Sequence, residues 1–249
     1  DMIRYSNVIS PAGNTIESLT KVLTMQLGDS PKPWYEYPTL TAILSKAGYT
    51  TYWSSNQEST GAIVQPLNIM ASLADSVKYA HPRSIDGDRD CAARYFDEAV
   101  IKDLHYEGVN GKPFVQFVHL EGSHPIYGRR FPKEFARFGT KDIPQQFGDE
   151  RDQVLADYVN SVYYNDYVVS EIIKRYSHQD YFADHGEILY DDPSQPGYNG
   201  HGVHPSGVSV PFLVYFSPSL KAKKPDLFAQ LERAKDLPIM NDLFTHAFC

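Results

Sequence analysis

Apolar residues in this chain recur in two rhythms. Over 38–46, Leu40, Ile43 and Leu44 fall at the three-to-four spacing of one helix face, and Gly48 follows where a helix would stop. Over 154–176 the same spacing links Leu155, Tyr158, Val162, Val169 and Ile173, predicting a long amphipathic helix. A further helix is predicted over 86–107. Asp86, Asp88 and Asp90 favour its positive N-terminal end, and Gly108 stops it. Between these, 49–54 reads as a strand, and 114–120 and 210–216 are short, mostly apolar runs, the last followed by a turn at Ser217 and Pro218. The two apolar runs read as strands covered on both faces. Strands alternating with helices predict an α/β sandwich around a mainly parallel sheet, where ligands collect at the carboxyl ends of strands. One stretch breaks the rhythm. Only Ser-His-Gln-Asp-Tyr-Phe separates the predicted long helix from the loop at Ala183, where a buried strand of about five or six residues is expected. Either that strand is very short or residues are absent from the sequence.

The bulk figures narrow the picture. With 249 residues, 42% of them hydrophobic, the chain can bury a large core, and no linker, repeat or low-complexity tract divides it. A single domain over 1–249 is expected. A net charge of −8 with no long basic run argues against a nucleic-acid partner. The dense basic cluster Lys221, Lys223 and Lys224 reads as a solvated loop. No stretch approaches the roughly 20 apolar residues that cross a bilayer. Cys91 and Cys249 are equally compatible with pairing and with free thiols. Eighteen tyrosines and thirteen phenylalanines mostly supply packing, though an aromatic-rich surface suits a glycolipid substrate.

Four polar clusters fall where strands or loops end. In Gly13-Asn14-Thr15-Ile16-Glu17-Ser18-Leu19, helical spacing of Ile16, Leu19 and Leu23 puts Thr15 at or near a helix N-cap, where backbone N–H groups favour an anion. A lone threonine there is most often only a cap. Ala183-Asp184-His185-Gly186-Glu187 brings a carboxylate and an imidazole together on a loop, a pair that suits zinc, against the plainer reading of a turn with a buried ion pair. His119-Leu120-Glu121-Gly122-Ser123-His124 and Asn199-Gly200-His201-Gly202-Val203-His204 complete the set. Single histidines are usually structural. Five of nine in three loops around one predicted sheet edge favour a metal or anion site.

These parts combine into a mechanism. A threonine hydroxyl is a poor nucleophile, and zinc lowers the pKa of a bound oxygen by several units. Thr15 is expected to attack phosphorus and form a phospho-threonine intermediate. His124 and His201 are expected to neutralise the developing negative charge, directly or through a second zinc.

At these residues the chain resembles the bacterial lipopolysaccharide phosphoethanolamine transferases of the sulfatase and alkaline-phosphatase superfamily. The likeness covers essentially the whole chain. It is carried by Tyr5-Ser6-Asn7-Val8 leading to Asn14-Thr15, by Trp53-Ser54-Ser55-Asn56-Gln57, and by Gly122-Ser123-His124 followed by Tyr127, Arg130, Phe131 and Pro132. Tyr164-Asn165-Asp166-Tyr167, Ala183-Asp184-His185-Gly186-Glu187 and His201-Gly202 continue it. The resemblance implies a three-layer α/β/α sandwich with Thr15 carrying phosphoethanolamine. Asp184 and His185 are implied as zinc ligands, and His124 and His201 lie at the phosphate or a second metal. Asn56 and Glu187 are candidates for contacting the transferred group. The implied donor is phosphatidylethanolamine, the acceptor a lipid A phosphate or a core sugar of lipopolysaccharide. The implied setting is a monomer at the periplasmic face of the bacterial inner membrane. A membrane domain, and a first strand bearing a further acidic zinc ligand, would precede Asp1.

Two departures from lipid A-modifying members point towards a core-sugar acceptor: Pro125 follows the Gly-Ser-His motif in place of glycine, and Pro11-Ala12-Gly13 replaces a cysteine-rich approach to the nucleophile. Three other readings stay open. A sulfatase uses a formylglycine made from Cys or Ser in a Cys/Ser-x-Pro-x-Arg motif, which Thr15-Ile16-Glu17-Ser18-Leu19 does not offer. A phosphoglycerol transferase shares the threonine nucleophile and differs in donor. A non-catalytic glycolipid-binding domain would lack the metal.

Overall fold

The computed structural model describes residues 1–60, 64–80, 96–144 and 146–247. Cys91 and Cys249 lie outside them. In chain order the elements begin with β1 (Met2–Tyr5), β2 (Val8–Ile9), α1 (Thr15–Val22), α2 (Leu40–Lys46), β3 (Thr50–Ser55), α3 (Gln65–Ser72), β4 (Ser76–Tyr79) and β5 (Phe114–His119). They continue with α4 (Glu150–Ile173), β6 (His178–Phe182), β7 (Ile188–Leu189), β8 (Asn199–Gly200), α5 (Pro205–Val208), β9 (Phe212–Phe216), α6 (Pro218–Lys223), α7 (Pro225–Ala234), β10 (Ile239–Met240) and α8 (Phe244–Ala247). The chain divides into two compact units, Asp1–Ala47 with Arg175–Cys249, and Gly48–Lys174.

The first unit is built on a three-stranded sheet in the order β1-β9-β6, antiparallel throughout. Alternation along β1 turns Ile3 and Tyr5 inward, where they meet Val8, Val210, Val214, Phe216 and Phe228. Helix α7 covers this cluster with Phe228, Leu231 and Ala234, residues spaced along one face. Strand β6 resolves the stretch that looked too short. Five residues suffice because each pairs in register with β9, from His178 opposite Phe216 to Phe182 opposite Phe212. Lys221 and Lys223 sit in the last turn of α6 rather than in a loop, where cations suit the negative helix end. The expected turn at Ser217 is instead the start of that helix, with the Ser217 hydroxyl accepting from the Leu220 amide.

The second unit carries the parallel pairing expected from the sequence: β3 lies between β4 and β5, parallel to both. All six residues of β3 are buried, as a strand covered on both faces requires. Helix α4 is capped by Asp149, whose side chain accepts from the Arg151 amide. Its buried face carries Leu155, Ala156, Tyr164, Val168, Val169 and Ile172, whereas Val162, expected inside, is exposed. Polar Asn160 lies inside instead because its side chain bonds three backbone groups of Arg137 and Phe138. The helix predicted over 86–107 is not a single α-helix. Residues 86–95 lie outside those described, and Asp97–Asp103 form a 3-10 run, the usual form of a short connector.

Phe216 is fully buried in the first core. Phe216→Ala should lower stability by about 3–5 kcal/mol, read as a lower denaturant midpoint at unchanged m-value.

Candidate functional site

In the first unit, Asn14 rather than Thr15 caps α1, its side chain accepting from the Glu17 amide. Thr15 is therefore the first helical residue, among amide groups with no partner inside the helix. Its hydroxyl lies 3.2 Å from His185 Nε2. The His185 Nδ1 is 2.8 Å from the Gly186 carbonyl, which can only accept, so Nδ1 carries the proton. In the neutral ring Nε2 then presents a lone pair, and the Thr15 hydroxyl donates to it. A carbonyl on the far nitrogen is the usual arrangement of a metal-binding histidine.

Around this pair stand two acids and a second imidazole. Asp184 Oδ2 is 3.6 Å from His185 Nε2. The His185 and His201 rings face each other edge-on, with centroids 4.3 Å apart. Glu187 Oε1 is 3.1 Å from His201 Nε2. This carboxylate raises the His201 pKa by hydrogen bonding to the charged ring, against the lowering effect of burial, with Asp184 adding attraction. One ligand atom from each of His185, Glu187 and His201 lies within 4.8 Å of the others. Two imidazoles and a carboxylate are a donor set that suits zinc. The residues fit such an ion.

Glycines bring these loops together. A Cβ on Gly13 would stand 2.2 Å from the Gly202 carbonyl oxygen, and one on Gly186 would stand 2.0 Å from that of Ser206. No side chain fits at either place, so the Thr15, His185 and His201 loops pack backbone against backbone. Two serines that the sequence reading passed over complete the assembly. Ser10 and Ser18, both buried, donate their hydroxyls to the Asp184 carbonyl and lie 2.8 Å from each other. Ser18 had a legible signal, since it lies three residues after Thr15 and so shares its helix face. Ser10 had none.

His124 and Asn56 belong to the second unit, at the carboxyl ends of β5 and β3. Asp97, buried, accepts from the Asn56 side chain and from the amides of Glu121 and Gly122, each at 2.8 Å. Arg130 lies 2.8 Å from Glu121 and donates to the carbonyls of His124 and Pro125. Burial raises the Glu121 pKa, with Arg130 opposing and Asp97 and Glu58 adding to the rise. His119 packs its Nδ1 3.3 Å from the Ser55 hydroxyl. The five histidines expected around one edge thus divide between the units: His185, His201 and His204 in the first, His119 and His124 in the second.

The chain is thus an α/β protein that gathers imidazoles and acids beside a helix-start hydroxyl, and its fold is sulfatase-like. The Sulfatase family model matches residues 1–247, and the chain belongs to that family. It is 30% identical over 237 residues to phosphoethanolamine transferase EptC of Escherichia coli O18:K1:H7, covering 91% of this chain and 40% of that protein. It is also 30% identical over 238 residues to phosphoethanolamine transferase CptA of Salmonella typhimurium, with the same coverage of both chains. The chain thus spans about 40% of the length of these curated relatives. Among solved structures, the C-terminal periplasmic domain of Escherichia coli EptC in complex with Zn matches with a TM-score of 0.86 and 26% identity, over 99% of this chain and 70% of that one.

Gly186→Ala should drive the His185 loop away from Ser206. The expected result is a folded protein whose bound zinc falls to a small fraction of the parent's by metal analysis.

Proposed function

We propose that this chain is the catalytic part of a zinc-dependent transferase. It would move phosphoethanolamine from phosphatidylethanolamine to lipopolysaccharide, on a core sugar or lipid A, through a phospho-threonine at Thr15. The observation that carries the reading is the Thr15 hydroxyl held at a helix start 3.2 Å from His185, within a group of donors suited to zinc. The relatives' names supply the group transferred, and the zinc complex of the Escherichia coli EptC domain supports the metal. By the same reading, residues 1–249 work as one catalytic domain at the periplasmic face of the inner membrane.

His185, Glu187 and His201 would hold the ion, with Asp184 beside His185. Bound there, zinc supplies a Lewis acid that lowers the pKa of a hydroxyl oxygen and offsets phosphoryl charge. The residues themselves do the rest. The positive end of α1 favours a phosphoryl oxygen next to Thr15. Ser10 and Ser18 hold the Asp184 carbonyl and so fix the loop that carries His185. His201, whose charged form Glu187 supports, must give up a proton before it can serve as a ligand.

In the first step the Thr15 oxygen forms a bond to phosphorus, and the bond from phosphorus to the diacylglycerol oxygen breaks. The hydroxyl proton leaves Thr15, and the diacylglycerol oxygen takes up a proton. In the second step an acceptor oxygen attacks the same phosphorus, and the Thr15 oxygen departs and is reprotonated. Asn56 and His124 are proposed to contact the transferred group.

Thr15→Ala should reduce transfer from labelled phosphatidylethanolamine by roughly 10³-fold or more, with a melting temperature close to the parent's because Asn14 keeps the cap. Equal rates in variant and parent overturn the nucleophile assignment. Faster use of labelled phosphatidylglycerol than of phosphatidylethanolamine overturns the donor. Glu187→Gln should weaken zinc by at least about tenfold, measured by competition with a chromogenic chelator. Unchanged affinity removes Glu187 from the site.

A further inference from the structure

Charge is unevenly spread over the second unit. Residues 126–142 carry five basic side chains, Arg129, Arg130, Lys133, Arg137 and Lys141, against two acids, Glu134 and Asp142, in a protein whose net charge is −8. Arg130 is engaged by Glu121, and Asp142 by the Gly139 amide. Lys133, Arg137 and Lys141 are exposed, and among the described residues none of the three meets a carboxylate. Cations so placed attract anions, and they bind best where the charged group is held still beforehand.

Arg137 is held still twice over. Its amide and that of Phe138 donate to Oδ1 of buried Asn160 at 2.9 and 2.8 Å, and Asn160 Nδ2 donates to the Phe138 carbonyl at 2.8 Å. The backbone of this exposed corner is thus fixed to α4. Two rings place the side chain. The guanidinium carbon lies 5.6 Å from the centre of the Tyr163 ring and 5.8 Å from that of Phe138, within cation–π range. The two rings are themselves set edge-to-face, 5.8 Å apart at 88°. Nη1 stands 3.5 Å from the Tyr163 hydroxyl, whereas Nε and Nη2 meet no protein acceptor among the described residues. Those two nitrogens form one edge of the guanidinium, and their parallel N–H groups match two oxygens of a phosphate.

We propose that Arg137, with Lys133 and Lys141 four residues to either side, docks a phosphate group on the sugar of the acceptor glycolipid. A diffuse anionic plane, such as a bilayer of acidic lipid, is attracted by any loose lysines. A planar fork fixed by a buried asparagine and two rings gains only against a ligand of fixed geometry. Sugar phosphates of lipopolysaccharide supply both the charge and a rigid carrier. Arg137 binds the acceptor and takes no part in the bond changes at Thr15. The identity of the carrier rests on the transferase reading; the anion-binding fork does not.

The test is co-sedimentation of the full chain with phosphatidylcholine vesicles that carry lipopolysaccharide. Expected is binding at least about fivefold tighter than to vesicles carrying the same lipopolysaccharide stripped of phosphate, and than to vesicles with phosphatidylglycerol at matched surface charge. Arg137→Gln should weaken binding by about tenfold or more. Arg137→Lys, which keeps the charge and loses the fork, should weaken it by at least about threefold. Both should melt close to the parent. Lys46→Gln, which removes one exposed cation of the first unit, should bind as the parent does. Equal binding to phosphatidylglycerol vesicles assigns the surface to the bilayer and overturns the proposal. So does equal binding to stripped lipopolysaccharide, an Arg137→Lys variant indistinguishable from the parent, or a loss in Lys46→Gln as large as in Arg137→Gln. In transfer assays Arg137→Gln should raise KM for lipopolysaccharide with kcat kept; a fall in kcat at unchanged KM removes the docking role. Because sedimentation needs no turnover, Thr15→Ala should bind lipopolysaccharide as the parent does. The surface can therefore stand when the transferase reading fails, and the reverse.

Discussion

Everything in the first unit's site depends on how closely bare backbone can approach bare backbone. Gly13 and Gly207 both lie against the Gly202 carbonyl, and Gly186 lies against that of Ser206, at separations that no Cβ allows. This contact draws together loops almost 200 residues apart in the chain. It carries an entropic cost, since glycine loses more freedom on folding than any other residue. Hydrogen bonds across the same seam offset that cost. The Gly186 amide donates to Gly207, the Ser10 amide donates to Val208, and two serine hydroxyls converge on the Asp184 carbonyl. With the loops fixed from behind, Thr15, His185, Glu187 and His201 have little room to diverge.

The second unit meets a similar demand with charge instead of glycine. Parallel strands end in loops that no hairpin ties together, so their carboxyl ends need another constraint. Asp97 supplies it, one buried carboxylate accepting from the end of β3 through Asn56 and from the loop after β5 through two amides. Three hydrogen bonds offset the cost of taking this side chain out of water. The Arg130–Glu121 pair extends the network to His124. In both units, then, the reactive-looking side chains are supported by groups that touch no reacting atom.

Much of this was legible in the sequence, and the failures have physical causes. Residues Leu40, Ile43 and Leu44 reported α2 because a helix buries side chains at a fixed period, and Gly48 closed it in the left-handed region with φ +91°. The segments at 49–54 and 114–120 reported β3 and β5, which pair in parallel, β3 being buried along its whole length. Strand β6 was obscured because its pattern, His-Gln-Asp-Tyr-Phe, is set by pairing with β9 rather than by burial of every side chain. Val162 misled because apolar spacing cannot reveal that buried Asn160 would satisfy a distant loop. Within the site, Thr15, Asp184, His185 and His201 stood out as chemical types in compact motifs. Asp97 and Ser10 did not, because the backbone amides that Asp97 accepts from and the Asp184 carbonyl that Ser10 donates to lie far along the chain, and no local pattern records them.

The three histidines near the motifs show why residue type alone underdetermines chemistry. Each ring has two nitrogens, and the partner on one dictates what the other can do. A carbonyl at Nδ1 leaves His185 with a lone pair on Nε2, suited to a cation or to the Thr15 proton. A carboxylate at Nε2 supports the charged form of His201, so that metal binding there competes with a proton. At His124 it is a guanidinium that stands 3.2 Å from Nδ1. One residue type thus stands beside a carbonyl, a carboxylate and a guanidinium in turn. The division of labour is written in Gly186, Glu187 and Arg130 as much as in the histidines, and only Glu187 was among the candidates that the sequence offered.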